Sequence, residues 1–336
     1  YPAMQDVVFS GDSLLGYPVS VSPKSWMVNE TKWNEMNLGD YPKTYNELFE
    51  KIEMWLNEYA TDYPEYTLAD VQQMGLNTLV LSMVEAYIHE NEASGMQLTF
   101  DTPSFREMMK CVSDNAYLLS EENEQWGIPL LTSMYLGFGT CYTDSDLNRM
   151  ILPPALDLNG KQSLYAEMSI LAVNAASKNA EVATRFVEFC AENLSNTVRY
   201  EMEPELNEPV ESSAYYVRVA ELQGKINDLA EQLEKADQDA RYAIKEKIIQ
   251  AEANLEQLEE RKWEIDPKSI EIYRSAAENL KVSYKSPLLL KGENGGYEAL
   301  RSVVDKYCTQ DFSDSDINAL IAELDRVATM VYLESL

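Results

Sequence analysis

Residues 215–265 carry the pattern that most narrowly restricts what this chain can fold into. The segment has no proline and one glycine, Gly224, and is dominated by Ala, Glu, Lys, Leu and Gln. From Leu222 to Ala243 apolar residues recur at alternating steps of four and three, the spacing of a coiled-coil seam. A second seam, shifted by one residue, continues from Ile244 to Leu258. The pattern predicts helix and a coiled coil.

Two arrangements satisfy this pattern. One long helix would keep both seams within a single stripe at 3.6 residues per turn. An antiparallel hairpin, turning near Asp237–Asp239, would instead bury the two seams against each other. The hairpin is favoured because a lone helix of this length would leave its apolar stripe in water. Pro209 and Pro267 bound the segment, which is therefore predicted to be an insertion.

Outside the insertion, helix and strand signals alternate. Thr44 followed by Glu47 forms a capping box, which predicts a helix over about Thr44–Ala60. Further helices are predicted over Leu76–Ile88, after Ser313, and after Ser177, where Val182, Phe186, Phe189 and Cys190 make an apolar stripe. Strands are predicted at Asp6–Phe9, Tyr17–Val21, Ile128–Leu131 and over 165–174. This alternation indicates an α/β fold.

The charge balance argues against two classes of partner. The chain has 27 Lys and Arg against 57 Asp and Glu, a net charge of −30. So much negative charge repels both phosphate backbones and anionic lipid headgroups, and no run of clustered Lys or Arg offsets it. Nucleic acid is therefore not an expected partner.

The cysteines do not predict a metal site. Cys111, Cys141, Cys190 and Cys308 are widely separated and form no Cys-x-x-Cys pair. They are interpreted as free buried thiols rather than as two disulfides. Neither a metal ion nor another cofactor is expected.

One catalytic motif is present but incomplete. Ser10 to Leu14 spells Ser-Gly-Asp-Ser-Leu after an apolar stretch, which resembles the GDSL esterases, whose serine needs a histidine base. The only histidine is His89, with Ala86 in place of the Asp of that family's Asp-x-x-His pattern. His89 is interpreted as a solvated residue near a helix end. The esterase is the weakest hypothesis, and no catalytic residue is predicted.

Aromatic residues suggest a binding surface. The chain has 21 tyrosines and 5 tryptophans against 8 phenylalanines. Tyrosine and tryptophan combine a flat apolar face with a polar edge, which suits stacking on sugar rings or peptides.

Three segments, in order, resemble the sugar-binding branch of the solute-binding proteins of ABC importers. The first comprises Gly16–Ser20, Asn29 and Pro42–Leu48. The second, Ile170–Phe189, is the most specific, and Asp314–Leu324 is the third. The resembling proteins carry a long part before the first segment, with an export signal and often a lipid-bearing cysteine.

This resemblance implies a helix-rich, two-lobed α/β fold of the periplasmic-binding-protein type. The helical hairpin predicted from the apolar spacing is an insertion that the commonest family pattern lacks. The implied domains are 1–21 as the end of lobe one with a crossing strand, 22–150 as lobe two, 151–214 as the crossing back and lobe one, 215–265 as the insertion, and 266–336 as C-terminal helices closing both lobes. A ligand would lie in the cleft between the lobes.

The resemblance also implies positions for ligand contacts, all of them near the crossings or in late elements. The candidate ligand-binding residues are Ser22, Trp26, Trp126, Tyr135, Tyr142, Tyr165 and Tyr297.

The implied function is an extracellular receptor, not an enzyme. It would bind a small solute, a sugar or oligosaccharide, and deliver it to the membrane permease of an ABC importer. A monomer, anchored as a lipoprotein through a part preceding Tyr1, is expected. The alternative is a surface protein that binds a partner through the helical insertion.

Overall fold

A computed structural model of the chain describes residues 1–10, 13–91, 98–143, 148–156, 160–174, 176–259, 262–282, 286–290, 295–309 and 311–335. Within these ranges the α-helices are α1 (Pro2–Val8), α2 (Glu30–Glu35), α3 (Tyr45–Glu58), α4 (Val71–Met74), α5 (Leu76–Asn91), α6 (Pro103–Asn115), α7 (Ala180–Glu192), α8 (Asn196–Met202), α9 (Ser213–Lys235), α10 (Gln238–Glu259), α11 (Pro267–Ala277), α12 (Gly296–Tyr307) and α13 (Asp314–Ser335). The strands are β1 (Phe9–Ser10), β2 (Ser13–Leu14), β3 (Tyr17–Asn29), β4 (Tyr66–Ala69), β5 (Ile128–Tyr135), β6 (Tyr142–Thr143), β7 (Asn148–Ile151), β8 (Leu164–Leu171), β9 (Val210–Glu211), β10 (Trp263–Ile265) and β11 (Leu280–Val282). The prediction of a helix-rich α/β fold is confirmed.

The long strand β3 organises the main sheet, whose order is β11-β8-β3-β5-β4 with β7 also paired to β3. The first part of β3, Tyr17–Lys24, pairs antiparallel with β8. Its second part pairs antiparallel with β5 over Lys24–Val28 and with β7 over Trp26–Asn29. One continuous strand of 13 residues is therefore shared by two sets of neighbours.

Two separate hydrophobic cores lie along β3. The large core takes Trp26 and Val28 from β3 and is completed by α2 to α6, β4, β5, α12 and α13. Buried Trp33 donates its indole N–H to the carbonyl oxygen of Gly39 at 2.7 Å. Buried Trp55 donates its indole N–H to the side-chain oxygen of Gln125 at 2.8 Å. The small core takes Val21 from β3 and is completed by α1, α8, α11, β8 and β11.

The two cores divide segments that the sequence analysis assigned to single domains. Buried side chains between Leu136 and Met150 pack in the small core, although the sequence placed 22–150 in a single lobe. The C-terminal segment is divided, since α11 packs in the small core and α12 and α13 pack in the large one. The domain boundaries stay predictions.

Local signals account for most of the predicted elements. Thr44 caps α3 by accepting a hydrogen bond from the Glu47 N–H at 3.2 Å, and the Glu47 carboxylate accepts one from the Lys43 N–H. The strand predicted at Asp6–Phe9 was wrong over residues 6–8, which belong to α1, whereas Phe9 begins β1. Met4 and Val8 are both buried, and their spacing of four residues places them on one face of this helix.

The insertion is a helical hairpin. α9 ends at Lys235 and α10 begins at Gln238, so the chain turns at Ala236–Asp237 and the prediction of a hairpin is confirmed. Leu229, Ala251 and Leu258 are buried along the seam between the helices. At the base, β9 pairs antiparallel with β10, which clamps the two ends of the insertion together. Coiled-coil packing in the strict sense stays a prediction.

Because the hairpin buries its own seam, we expect its removal to leave the rest of the chain folded. Antiparallel helices pack about 8–10 Å apart, a gap that four extended residues can span. Replacing residues 217–259 with four glycines should change the melting temperature of the remainder by less than about 4 °C, which corresponds to roughly 1–2 kcal/mol. Calorimetry on both proteins measures this change.

A matched pair of substitutions serves as the control. Ala251→Asp places a charge in the seam at a 2% exposed position, and Ile249→Asp places one on the same helix at a 64% exposed position. Only the first should reduce the helical circular dichroism signal. Loss of the main unfolding transition in the deletion variant would contradict a self-contained hairpin.

Candidate ligand-binding site at the junction of the two cores

Polar and aromatic side chains share one face of the sheet where the two cores meet. Lys24 on β3 lies directly opposite Tyr135 of β5 on one side and Tyr165 of β8 on the other. Ser22, two residues earlier, lies opposite Glu167. Opposed residues of antiparallel strands project to the same face, so we call these five residues the junction face.

Helix α5 covers this face with charge that is already paired. The Lys24 ammonium group forms a salt bridge with Glu85, and both side chains are largely withdrawn from solvent. Tyr297, near the start of α12, also hydrogen-bonds to Glu85. Burial, followed by the charge of Glu85 and this hydrogen bond, raises the pKa of Tyr297 to about 12. The phenol therefore remains protonated and can act as a donor.

The two strand tyrosines are also held as phenols. Tyr135 donates to a Glu167 carboxylate oxygen at 3.2 Å. Burial, with the Glu167 charge as a smaller cause, raises the pKa of Tyr135 above its usual range. Burial and a hydrogen bond to Glu90 raise the pKa of Tyr165 in the same way. Tyr135 is 48% exposed and Tyr165 is 6% exposed, so the two rings differ in access to solvent.

His89 is part of this site and is not a solvated residue, so its interpretation from sequence was wrong. Its ring stacks on that of Tyr165, with centroids 5.5 Å apart and planes 20° apart. Burial lowers its pKa to about 4, an effect that the Glu85 charge opposes and the Lys24 charge reinforces. Its buried Nδ1 atom has no hydrogen-bond partner among the described residues. The imidazole is therefore neutral at neutral pH.

The last residues of α5 connect the cores. Glu90 follows His89 and lies 3.7 Å from the ammonium group of Lys281 on β11, a strand of the small core. The salt bridge and the His89–Tyr165 stack thus join a large-core helix to small-core strands across the junction.

The structure brings together four of the seven candidate residues: Ser22, Tyr135, Tyr165 and Tyr297. Trp26 faces the same side as Ser22 and Lys24, but its side chain is 4% exposed and belongs to the large core. The role of all seven in ligand binding stays a prediction.

Two candidates lie elsewhere. Tyr142 is buried in the small core, where the Lys268 ammonium group donates to its phenol at 2.9 Å and also lies over its ring. Trp126 is 73% exposed and precedes β5, whereas Tyr135 ends that strand. An eight-residue strand spans about 25 Å, which separates Trp126 from the junction face.

Sequence reasoning missed several residues of the site, namely Lys24, Glu85, His89, Glu90, Glu167 and Lys281. Lys24 lies two residues from both Ser22 and Trp26, but the strand predicted at Tyr17–Val21 ended before all three, whereas β3 continues to Asn29. Glu85 and His89 are four residues apart on a predicted helix and so share one of its faces.

Other kinds of site find no support in the described part of the chain. No three His, Cys, Asp or Glu side chains there come together as a metal site. All four cysteines are free, and Cys141 and Cys308 are buried. None of the described helices is both long and apolar enough to cross a membrane.

Comparison with known proteins identifies the fold. No protein-family model matches the chain, and no curated protein matches it. The structure is similar to the cyclic α-maltosyl-1,6-maltose binding protein of Arthrobacter globiformis, with a TM-score of 0.56, 15% identity and coverage of 98% of this chain and 75% of that chain. It is also similar to the galacto-N-biose/lacto-N-biose I-binding protein of a Bifidobacterium longum ABC transporter, with a TM-score of 0.55, 10% identity and coverage of 99% and 74%.

A third similar structure is the sugar-binding protein MalE of Xanthomonas citri, with a TM-score of 0.53, 12% identity and coverage of 98% and 74%. At such identities the likeness establishes the fold. The chain therefore has the two-lobed α/β fold of the sugar-binding proteins of ABC transporters, as the resemblance in the sequence implied.

The burial of His89 leads to a spectroscopic prediction. Because the chain has one histidine, its imidazole proton resonances can be assigned by proton NMR without mutation. We expect them to titrate with a pKa of about 4, well below the value of 6.5 for a solvated imidazole. A midpoint near 6.5 would contradict the buried, stacked position.

The same shift has a consequence for stability. The unfolded chain takes up a proton on this histidine below about pH 6.5, and the folded chain only near pH 4, so folding loses stability as pH falls between these values. Asp70, whose pKa burial raises to about 6, acts in the opposite direction between pH 6 and 4. The difference in unfolding free energy between wild type and His89→Gln, measured against pH, cancels the Asp70 contribution and isolates that of His89.

The esterase hypothesis leads to a separate prediction. Ser13 lies exposed in β2, whereas Gly11 and Asp12 of the motif lie outside the described residues. The only imidazole of the chain is stacked on Tyr165, and no contact among the described residues pairs it with Ser13. Ser13→Ala should therefore leave any hydrolysis of p-nitrophenyl acetate unchanged. A rate that falls with this substitution would restore the esterase hypothesis.

Proposed function

We propose that this protein is the extracellular ligand-binding receptor of an ABC importer and that it binds a carbohydrate at the junction face. One observation carries the proposal: Ser22, Tyr135, Tyr165 and Tyr297 converge around the Lys24–Glu85 salt bridge at the border of two cores. Clefts between lobes are common ligand sites, and aromatic rings with a few fixed polar groups are their usual lining.

The chemistry of the face suits a neutral, hydroxyl-rich ligand. The carboxylates of Glu85 and Glu167 accept hydrogen bonds and retain lone pairs for ligand hydroxyl groups. The ring of Tyr135, about half exposed, offers an apolar face against which the C–H groups of a sugar can stack.

Paired lysines favour a neutral ligand over an anionic one. Lys24 is neutralised by Glu85, and Lys281 lies beside Glu90. An anionic ligand would have to be desolvated with both of these cations already paired, which is costly. A sugar exchanges hydrogen bonds with water for hydrogen bonds with the protein and brings no charge.

The architecture provides a route for closure. Strand β3 runs from one core to the other, and rotation about such connections is how two-lobed proteins enclose ligands. Delivery to a permease, attachment as a lipoprotein through a part before Tyr1, and action as a monomer complete the proposed role. In this role the protein binds and releases its solute and catalyses no reaction.

The second candidate function is partner binding through the hairpin. Val217, Tyr242 and Ile249 are apolar or aromatic residues that are 60–71% exposed on the outside of α9 and α10. The deletion of residues 217–259 separates the two functions, because it should abolish partner binding and leave sugar affinity intact.

A ligand screen with matched variants tests the receptor function. A sugar present at one hundred times its Kd should stabilise the natural polypeptide by about 2.7 kcal/mol and raise its melting temperature by about 5–10 °C. Tyr135→Ala and Tyr297→Ala should each weaken the binding of that sugar about tenfold or more, as measured by isothermal titration calorimetry. Tyr242→Ala, an exposed tyrosine on the hairpin, is the control and should bind normally. A panel of mono- and oligosaccharides that produces no shift, or equal affinity in all three variants, would contradict the proposal.

A further inference from the structure

An exposed aromatic patch lies at the start of β5, about 25 Å from the junction face at the other end of that strand. Trp126 is 73% exposed, Ile128 59%, Tyr117 51% and Tyr63 36%. We call these four residues the end patch. Large apolar and aromatic side chains that are exposed together mark an interaction surface.

Two stretches of chain build the end patch and are held against each other. The Ile128 N–H donates to the Glu65 carbonyl at 2.8 Å. The next contact needs glycine, because a Cβ atom on Gly127 would come within 2.6 Å of the carbonyl carbon of Tyr66. Trp126, which precedes this glycine, therefore lies beside the loop that leads into β4.

The tyrosines of the patch are anchored to α3. The ring of Tyr63 stacks on that of Tyr59, with centroids 6.4 Å apart, and Tyr59 stacks on the buried Trp55 at 5.7 Å. The Tyr117 phenol donates to a carboxylate oxygen of Glu53 at 3.0 Å. A packed helix thus fixes these rings at the surface, which lowers the entropy cost of placing a partner on them.

The sequence around the end patch is acidic. No Lys or Arg occurs between Lys51 and Arg106, or between Lys110 and Arg149, and these two stretches supply the whole patch. The exposed acids next to its members in sequence are Glu58, Asp62, Glu122 and Glu124.

The cations that border the patch are already paired. Lys110 forms an ion pair with Asp114 at 2.8 Å. Lys32 forms one with Glu35 at 2.6 Å, and this contact, with a smaller contribution from the charge of Glu65, raises the pKa of Lys32. The end patch therefore combines exposed rings with a surplus of negative charge.

We propose that the end patch is a docking surface for a protein that presents a basic, arginine-rich segment. A guanidinium group is attracted by carboxylates and stacks on aromatic faces, so both features of the patch serve the same side chain. Charge complementarity selects this partner, since the acids repel an anionic surface and a sugar makes no use of them. The patch lies apart from the junction face, so the inference does not depend on the proposed function.

A fluorescently labelled peptide of eight arginines is the probe, and its affinity is measured by fluorescence anisotropy. The double substitution Tyr63→Ala and Trp126→Ala should weaken binding at least about tenfold, because it removes two faces on which guanidinium groups stack. It leaves the net charge of −30 unchanged, so the general attraction of an acidic protein for a basic peptide is not altered.

The matched control removes two rings elsewhere. Phe186 and Phe189 on α7 are each 61% exposed, and replacing both with alanine should leave the affinity for the peptide unchanged. Equal weakening by the two double substitutions would overturn the proposal. Melting temperatures are compared in parallel, and all four side chains are exposed enough for both variants to remain folded.

A second pair of variants tests the charges without removing any ring. Glu122→Gln with Glu124→Gln should weaken peptide binding at least about threefold and reduce its dependence on salt. Asp228→Asn with Glu234→Gln removes the same charge from exposed positions on α9 and should have a smaller effect. Equal effects of the two pairs would mean that the peptide responds only to net charge, which would overturn the proposal.

Hydrogen–deuterium exchange locates the bound peptide. Amides of residues 59–66 and 121–128 should exchange more slowly when the peptide is present. Protection confined to α7, the hairpin or the junction face would overturn the proposal. It would also be overturned if the Tyr63 and Trp126 variant bound the peptide normally and lost binding to maltoheptaose, since the patch would then be a sugar-binding surface.

Discussion

The structure depends on one strand that serves two cores. β3 places Val21 in the small core and Trp26 and Val28 in the large core. Ser22 and Lys24, on the same face as Trp26, project at the junction. Because side chains alternate along a strand, a shift of one residue in its pairing would exchange these faces. The same register that closes both cores therefore also sets Lys24 between Tyr135 and Tyr165.

Burial then determines the charge state of the junction. An ammonium group withdrawn from water needs a partner, and Glu85 supplies one from α5. His89, one helical turn later, has no hydrogen-bond partner for Nδ1 in the described part of the chain. Burial keeps its ring neutral, and the ring stacks on that of Tyr165. Glu85 and His89 thus share one face of α5 and are both withdrawn from water, but Glu85 pairs with Lys24 whereas His89 becomes neutral.

Local signals predicted the elements well, and long-range contacts explain what they missed. The Thr44 cap and the two seams of the insertion act within a few turns, so α3 and the hairpin could be recognised from sequence alone. The environment of His89 depends on Tyr165, which is 76 positions away, and no local pattern encodes that contact. From sequence, Trp126 and Tyr135 were equally good aromatic candidates for ligand binding. The structure places them near opposite ends of β5.

The apolar stripe of α7 shows the other limit of periodicity. A 3.6-residue repeat identifies which side of a helix seeks a partner, but it says nothing about where that partner lies. In the hairpin the repeat is satisfied within the insertion, where Leu229 and Ala251 are buried between two consecutive helices. In α7 the same kind of repeat remains exposed at Phe186 and Phe189. Since both helices obey the same rule, the difference between them lies in chain connectivity. A seam whose partner is adjacent in sequence closes by itself, whereas the described residues next to α7 in sequence leave Phe186 and Phe189 exposed.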